Sequence, residues 1–254
     1  MNILKVSILS IIQGITEILP ISSSAHLLLT SQLLNVEMDT YLLSVLHLGT
    51  TIALCIYFSS LLFKDIFKKE KLSLYVKILI STIPAGILGL FFESIIEEKL
   101  RGNIIIAASL IIWGIVMIII EKRKEPKEID FKDISWKQSL TMGVSQIIAF
   151  IPGGSRSGIS TMAGMLMGLN KYTSIQYSFL LGLPLLLAAP FYEMLKGYPE
   201  RVPSLYEIFG IVIAGIISYI GLILLKKISK KKWLTFFGMY RIVLGVSIIF
   251  LEIL

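Results

Sequence analysis

Two short polar segments of this chain carry side chains that could perform phosphoryl transfer. The first, PGGSRSG at residues 152–158, places two glycines, two serines and Arg156 in seven residues. Glycines let a backbone approach a ligand closely, and N–H groups that open a helix point towards an anion. A guanidinium adds paired hydrogen bonds to phosphate oxygens. The segment therefore predicts a phosphate-binding loop.

The second segment, QGITEILPISSSAHL at residues 13–27, supplies the complementary groups. It combines one carboxylate, three hydroxyls and an imidazole, whose ordinary pKa near 6.5 suits proton transfer at neutral pH. These are Glu17, Ser22, Ser23, Ser24 and His26. A phosphate-binding loop and a set of proton acceptors are the two halves of a phosphoryl-transfer site.

Each of these residues also has a structural explanation. A serine in an apolar helix commonly bonds its own helix's carbonyl, a histidine can join two helices, and an arginine can cap a helix end. Glu17 favours function, because a carboxylate at membrane depth is costly. The spacing also favours function: Gln13 precedes Ser22 by nine residues, as Gln146 precedes Ser155.

The elements that position these groups must lie in a membrane. Of the 254 residues, 55% are hydrophobic and 16% charged, and the mean hydropathy is +0.82. Apolar stretches long enough to span hydrocarbon recur along the chain. Positive residues gather in short runs between them, which indicates membrane topology and not nucleic-acid binding. The single cysteine, Cys55, excludes a disulfide framework.

Six spans are predicted, at about 41–63, 75–95, 103–120, 176–196, 205–225 and 235–254. The lysine-rich and arginine-rich loops at 64–73, 121–137 and 226–232 are expected in the cytoplasm. With these loops inside, residues 138–174 must enter the membrane and return, whereas residues 1–34 form either a single span from the inside or a hairpin that enters from the outside. The polar residues in the middle of this segment, among them Gln13 and Glu17, favour the hairpin. Broken helices of this kind are tolerated where they line a cavity.

The two hairpins and their following spans overlay when the chain is shifted by 133 residues. We therefore expect one membrane domain over 1–254, made of a first repeat at 1–125 and a second at 137–254. Three spans per repeat invert the second copy, which places both hairpins near the midplane. The predicted fold class is an all-α polytopic membrane protein with six transmembrane helices and two re-entrant helical hairpins in an inverted repeat.

The two polar motifs together resemble the signature motifs of the undecaprenyl-diphosphate phosphatase family, the bacitracin-resistance type. STIPAGILGLFFE at 81–93, YSFLLGLPLLL at 177–187 and FGMYRIVLG at 237–245 also resemble family segments. The resemblance implies a multi-pass plasma-membrane enzyme that hydrolyses a C55-type polyprenyl diphosphate to the monophosphate. It would recycle the lipid carrier for cell-envelope glycans such as peptidoglycan, with a site that opens to the outer face.

The resemblance also implies residue roles. The implied catalytic residues are Glu17, Ser23, His26 and Arg156. The implied substrate-binding residues are Gln13, Ser22, Gly154, Ser155, Ser157, Gly158 and Ser160. The chain departs from the family pattern where Gln13 replaces a common glutamate and Ala25 a usual glycine. His47 stands where many relatives have glutamine, and no role is assigned to it.

Several alternatives stay open at this level. The nucleophile is a serine hydroxyl, with Ser23 favoured, or a water, and Glu17 or His26 accepts the proton. Mg²⁺ or Ca²⁺ could bridge Glu17 and the diphosphate, since hard cations take oxygen ligands. A homodimer is one of the oligomeric states that the sequence leaves open. The competing function is a lipid-phosphate transporter or flippase, which would use the same inverted-repeat scaffold.

Overall fold

A computed structural model describes residues 2–64, 66–123, 126, 128–197, 202–228 and 232–253. Its α-helices, in chain order, are α1 Ile3–Ile18, α2 Ser23–Leu33, α3 Thr40–Tyr57, α4 Ser59–Phe63, α5 Lys69–Phe91, α6 Glu93–Lys99, α7 Asn103–Glu121, α8 Trp136–Ser145, α9 Arg156–Leu166, α10 Lys171–Gly197, α11 Leu205–Ile228 and α12 Trp233–Ile253. Short 3-10 helices lie at Phe131–Asp133 and Gln146–Phe150. The described ranges contain no strand.

Six of these helices are long and apolar enough to cross a membrane: α3, α5, α7, α10, α11 and α12. The all-α polytopic membrane fold and the number of spans are thereby confirmed. The first span is shorter than the predicted 41–63, because α3 ends at Tyr57. The second is displaced from the predicted 75–95, because α5 begins at Lys69 and ends at Phe91. At Phe58 and Phe92 the backbone leaves the helical conformation, and the short helices α4 and α6 follow.

Two pairs of shorter helices account for the predicted hairpins. The break between α1 and α2 contains Pro20, and the break before α9 contains Pro152. Proline lacks an N–H group and disfavours helix at the residue before it, which explains both breaks. The second hairpin was placed at 138–174, but its helices run over 136–166 and α10 already begins at Lys171. The re-entrant course of both hairpins stays a prediction.

The elements of the two halves correspond at the predicted displacement. Ser23 and Leu33 bound α2, and Arg156 and Leu166, each 133 positions later, bound α9. The packing of the helices also corresponds. The contact of α1 with α11 has its counterpart in the contact of α8 with α5. The contacts of α3 with α10 and of α7 with α12 each join corresponding helices of the two halves. The repeat boundaries at 1–125 and 137–254 and the inversion of the second copy stay predictions.

A buried arginine forms hydrogen bonds with the backbone at both helix breaks. Arg241 on α12 is fully buried. Its Nη1 donates to the carbonyl of Pro20 at 3.0 Å, and its Nη2 donates to the carbonyls of Gly153 and of Gly154, the latter at 3.1 Å. Carbonyls at a broken helix lack their ladder partners and need other donors when water is excluded. One guanidinium therefore supplies hydrogen-bond donors to backbone carbonyls at both breaks.

We predict that Arg241→Met lowers the apparent unfolding temperature in detergent by about 5–10 °C, because it leaves three buried carbonyls without donors. Circular dichroism on heating measures the change. Arg123→Met, at an exposed position, is the matched control and should leave the temperature within about 1 °C. Equal unfolding temperatures for wild type and Arg241→Met would contradict this role.

Candidate active site

The centre of the site is an ion pair between the two polar motifs. Glu17 lies in the last turn of α1, and Arg156 is the first residue of α9. Arg156 Nη2 donates to Glu17 Oε1 at 2.6 Å, and the two side chains are 16% and 6% exposed. The fold therefore joins the carboxylate of the first motif to the guanidinium of the second, across 139 positions of sequence.

The second oxygen of Glu17 is also surrounded. Its Oε2 accepts from Ser23 Oγ at 2.6 Å and from Gln13 Nε2 at 3.3 Å. The imidazole of His47, on α3, lies with Nε2 3.2 Å from the same oxygen. A buried carboxylate is stabilised by such partners in place of water. Glu17 is therefore held in one orientation by four side chains.

Arg156 is positioned by a glycine on α10. A Cβ atom on Gly182 would overlap the Arg156 guanidinium, so only glycine leaves room for it there. While Nη2 is bonded to Glu17, Nη1 is buried and has no hydrogen-bond partner among the described residues. The guanidinium thus keeps a donor for a further acceptor, such as a phosphate oxygen.

These side chains line a cavity of about 180 Å³. A volume of this size suits a small anionic headgroup. Among the lining residues the structure describes, Glu17 is the only carboxylate. The lining consists of Thr16, Glu17, Ser22, Ser23, Ser24, His47, Gln146, Ala149, Phe150, Ser155, Arg156, Ser157 and Leu185.

Two helix N-termini converge on this cavity. Ser22–Ser24 begin α2 and Ser155–Ser157 begin α9, and both trios line it. The caps are alike: Ser22 has φ 72° and ψ 93°, and Ser155 has φ 69° and ψ 105°. Each cap hydroxyl accepts the N–H three residues on. The first-turn N–H groups and the helix dipoles favour an anion here.

Ser22 also reaches the other motif, because its Oγ accepts the N–H of Gly153 at 3.0 Å. Its positive φ is uncommon for a residue with a Cβ atom, and such conformations persist where surrounding contacts fix them. Ser155 has the matching positive φ. The two breaks are therefore fixed to each other by Ser22 as well as by Arg241.

Four predicted substrate ligands lie behind the cavity wall. Gln13 bonds Glu17, and the N–H of Gly158 is used by the Ser155 cap. The N–H of Gly154 closes a turn on Ile151 at 2.9 Å. The hydroxyl of Ser160 donates to the carbonyl of Arg156 at 2.7 Å, which is the structural role noted for serines in apolar helices. These residues support the lining and do not form it.

His26 is directed away from the cavity. Its Nδ1 lies 2.8 Å from the carbonyl of Ser22, and its Nε2 lies 2.7 Å from Tyr240 Oη, with the two rings stacked. His26 is three residues beyond Ser23, which moves it about 4.5 Å along α2 and rotates it by about 60°. Proton transfer by His26, expected from the sequence, is not supported by this placement.

Two polar residues of the cavity carry no role in the sequence analysis. His47 contacts Glu17, and Gln146 lines the wall with a buried Oε1 that has no partner among the described residues. Gln146 could have been found, because it occupies the same place in the second motif as Gln13 in the first. The signal for His47 was a lone imidazole within an apolar span, where polar groups are commonly functional.

The surroundings of Glu17 decide whether the protein could hold a divalent cation there. Mg²⁺ and Ca²⁺ need several oxygen ligands with free lone pairs. Both oxygens of Glu17 already accept hydrogen bonds from donors, with Arg156 on one and Ser23 on the other. The described residues contain no group of three or more His, Cys, Asp or Glu side chains suited to a metal. The residues present do not fit a cation held by Glu17.

Comparison with known proteins extends over nearly the whole chain. The family model "Bacitracin resistance protein BacA" matches residues 6–247. An undecaprenyl-diphosphatase of Methanococcus aeolicus is 38% identical and covers 98% of both chains. Undecaprenyl-diphosphatase 1 of Clostridioides difficile is 34% identical, covering 98% of this chain and 96% of its own.

An undecaprenyl-diphosphatase of Campylobacter curvus is 36% identical over 99% of each chain. The family match includes both helix breaks and Arg241. With this coverage and these identities, the chain belongs to the bacitracin resistance protein BacA family.

Proposed function

We propose that this membrane protein hydrolyses undecaprenyl diphosphate to undecaprenyl monophosphate and inorganic phosphate, and so recycles the lipid carrier of cell-envelope glycan synthesis. The names of its relatives support this activity. The observation that carries it is the Glu17–Arg156 pair, which lies in a small cavity at the N-termini of two helices. A carboxylate, an adjacent hydroxyl and an anion-binding surface are the groups that phosphoryl transfer requires.

Binding of the diphosphate headgroup is assigned to the second motif and the two caps. Arg156 offers Nη1, and the first turns of α2 and α9 offer backbone N–H groups. These donors strengthen as negative charge accumulates on the transferring phosphoryl group, which is how preorganised donors lower a barrier. The isoprenoid chain is assigned to the apolar helices around the cavity, and the headgroup to the cavity itself.

We assign the attack to Ser23, with Glu17 as the proton acceptor. The Ser23 hydroxyl already donates to Glu17 Oε2 at 2.6 Å, the contact a nucleophile and its base require. A bond forms between Ser23 Oγ and the terminal phosphorus, the bond to the bridging oxygen breaks, and the proton moves to Glu17. The lipid monophosphate leaves with the electron pair. Water then hydrolyses the phosphoserine and restores the Ser23 hydroxyl.

A direct attack by water is the alternative for the same step. It would use Glu17 as the base in the same way and would form no covalent intermediate. The competing transporter function is not favoured, because a carrier needs phosphate ligands but no hydroxyl bonded to a buried carboxylate. The proposed homodimer stays a prediction, which native mass spectrometry in detergent can test.

The cavity is proposed to open towards the outer face of the plasma membrane. The support is the placement of the lysine-rich loops, which the positive-inside rule assigns to the cytoplasm. With those loops inside, residues 35–40, which follow α2 directly, lie outside. The released phosphate would then leave on the outer side.

The central prediction concerns the ion pair. Glu17→Gln should lower phosphate release about 10²–10⁴-fold, because the amide cannot accept the proton. Arg156→Lys should lower it about 10²-fold, because an ammonium lacks the planar fork. Release of inorganic phosphate from farnesyl diphosphate by detergent-purified protein measures both. Glu98→Gln and Arg123→Lys, at exposed positions, are matched controls, and activity retained in the two site variants would overturn the assignment.

A second prediction tests how Arg156 is positioned. Gly182→Ala should lower kcat about 10²-fold, because the added methyl group displaces the guanidinium from Glu17. Gly86→Ala is the control, since a Cβ there meets only Leu185 at 3.4 Å. Alanine favours helix at both positions, and thermal unfolding of each variant establishes that it is folded. Unaltered kinetics of Gly182→Ala would show that Arg156 needs no space at this position.

Orientation is tested with single cysteines in a Cys55→Ser background. An impermeant maleimide should label Glu37→Cys in intact cells. It should label Lys69→Cys only after the membrane is permeabilised, because the lysine-rich loop lies inside. Both positions are exposed. The reverse labelling pattern would place residues 35–40 in the cytoplasm and remove the support for an opening on the outer face.

A further inference from the structure

Both ring nitrogens of His47 have a polar neighbour. Nδ1 lies 2.6 Å from the carbonyl oxygen of Leu43, one turn earlier on α3. Nε2 lies 3.2 Å from Glu17 Oε2. The ring is therefore held between the backbone of α3 and the carboxylate.

The imidazole therefore occupies the space beside Oε2, within hydrogen-bond distance of that oxygen. His47 joins Arg156, Ser23 and Gln13 as the fourth polar neighbour of one carboxylate. No lone pair of Oε2 that points to His47 is left for a cation.

The charges of the cavity agree with this arrangement. Its lining, as far as the structure describes it, has Glu17 as the single carboxylate beside Arg156 and His47. Because the guanidinium of Arg156 balances the carboxylate of Glu17, the cavity has no excess negative charge to attract a free divalent cation. The imidazole occupies the position beside Glu17 where the sequence predicts a cation.

We propose that His47 is a positioning residue that holds the Glu17 carboxylate where a metal ion otherwise would, so that the substrate-free protein binds no divalent cation there. Any Mg²⁺ or Ca²⁺ that the reaction uses then arrives on the oxygens of the diphosphate itself. The inference rests on the proposed function for its significance, but its test measures cation binding without substrate and is independent of turnover.

The test is isothermal titration of Ca²⁺ into detergent-purified, substrate-free protein. The wild type should show no saturation up to about 1 mM Ca²⁺. His47→Glu replaces the imidazole with a second carboxylate beside Glu17. This variant should bind one Ca²⁺ per chain at least about 10-fold more tightly than the wild type. His26→Glu is the matched control: it changes the other histidine, which lies on Tyr240 and not on Glu17, and should resemble the wild type.

Two results would overturn the proposal. One is saturable binding of Ca²⁺ by the wild type that Glu17→Gln removes. The other is a folded His47→Glu protein that binds Ca²⁺ no better than His26→Glu. Gel filtration and thermal unfolding establish that each variant is folded, and His47→Asp repeats the test with a shorter carboxylate. If the wild type releases no phosphate from farnesyl diphosphate, the proposed function fails while the binding comparison can still be made.

Discussion

The candidate site depends on how two interrupted helices are held together in an apolar surrounding. Each interruption frees backbone carbonyls that hydrocarbon cannot solvate. Arg241 satisfies the carbonyls of Pro20, Gly153 and Gly154 with one guanidinium, and Ser22 adds a hydrogen bond to the N–H of Gly153. Because the same contacts join the end of α1 to the start of α9, they also bring Glu17 within 2.6 Å of Arg156. The contacts that supply hydrogen bonds to the free backbone groups are therefore the same contacts that assemble the site.

Much of this architecture follows from simple rules of sequence. The six apolar stretches of sufficient length, the prolines at both breaks and the nine-residue spacing of the two motifs predict the spans, the interruptions and the meeting of Glu17 with Arg156. These features depend on hydropathy and on local backbone chemistry, which the residues carry by themselves.

The part that the sequence could not predict is the direction of individual side chains. His26 lies next to the serines of the first motif, yet one helical turn directs it to Tyr240. His47 lies 30 positions from Glu17, and the packing of α3 brings its ring to the carboxylate. The space for Arg156 depends on Gly182 of another helix. Such contacts are set by tertiary packing, which no local pattern encodes.

The chemistry arises where the two halves differ. The caps Ser22 and Ser155 are 133 positions apart and have the same unusual backbone, so each half offers an equivalent helix N-terminus. At the same displacement, Glu17 corresponds to Phe150, Ser23 to Arg156 and His47 to Leu180. A fully symmetric site would place like charges against each other or no charge at all. At these three pairs of positions the halves instead set a carboxylate and a hydroxyl against a guanidinium, while the two caps keep the same backbone conformation.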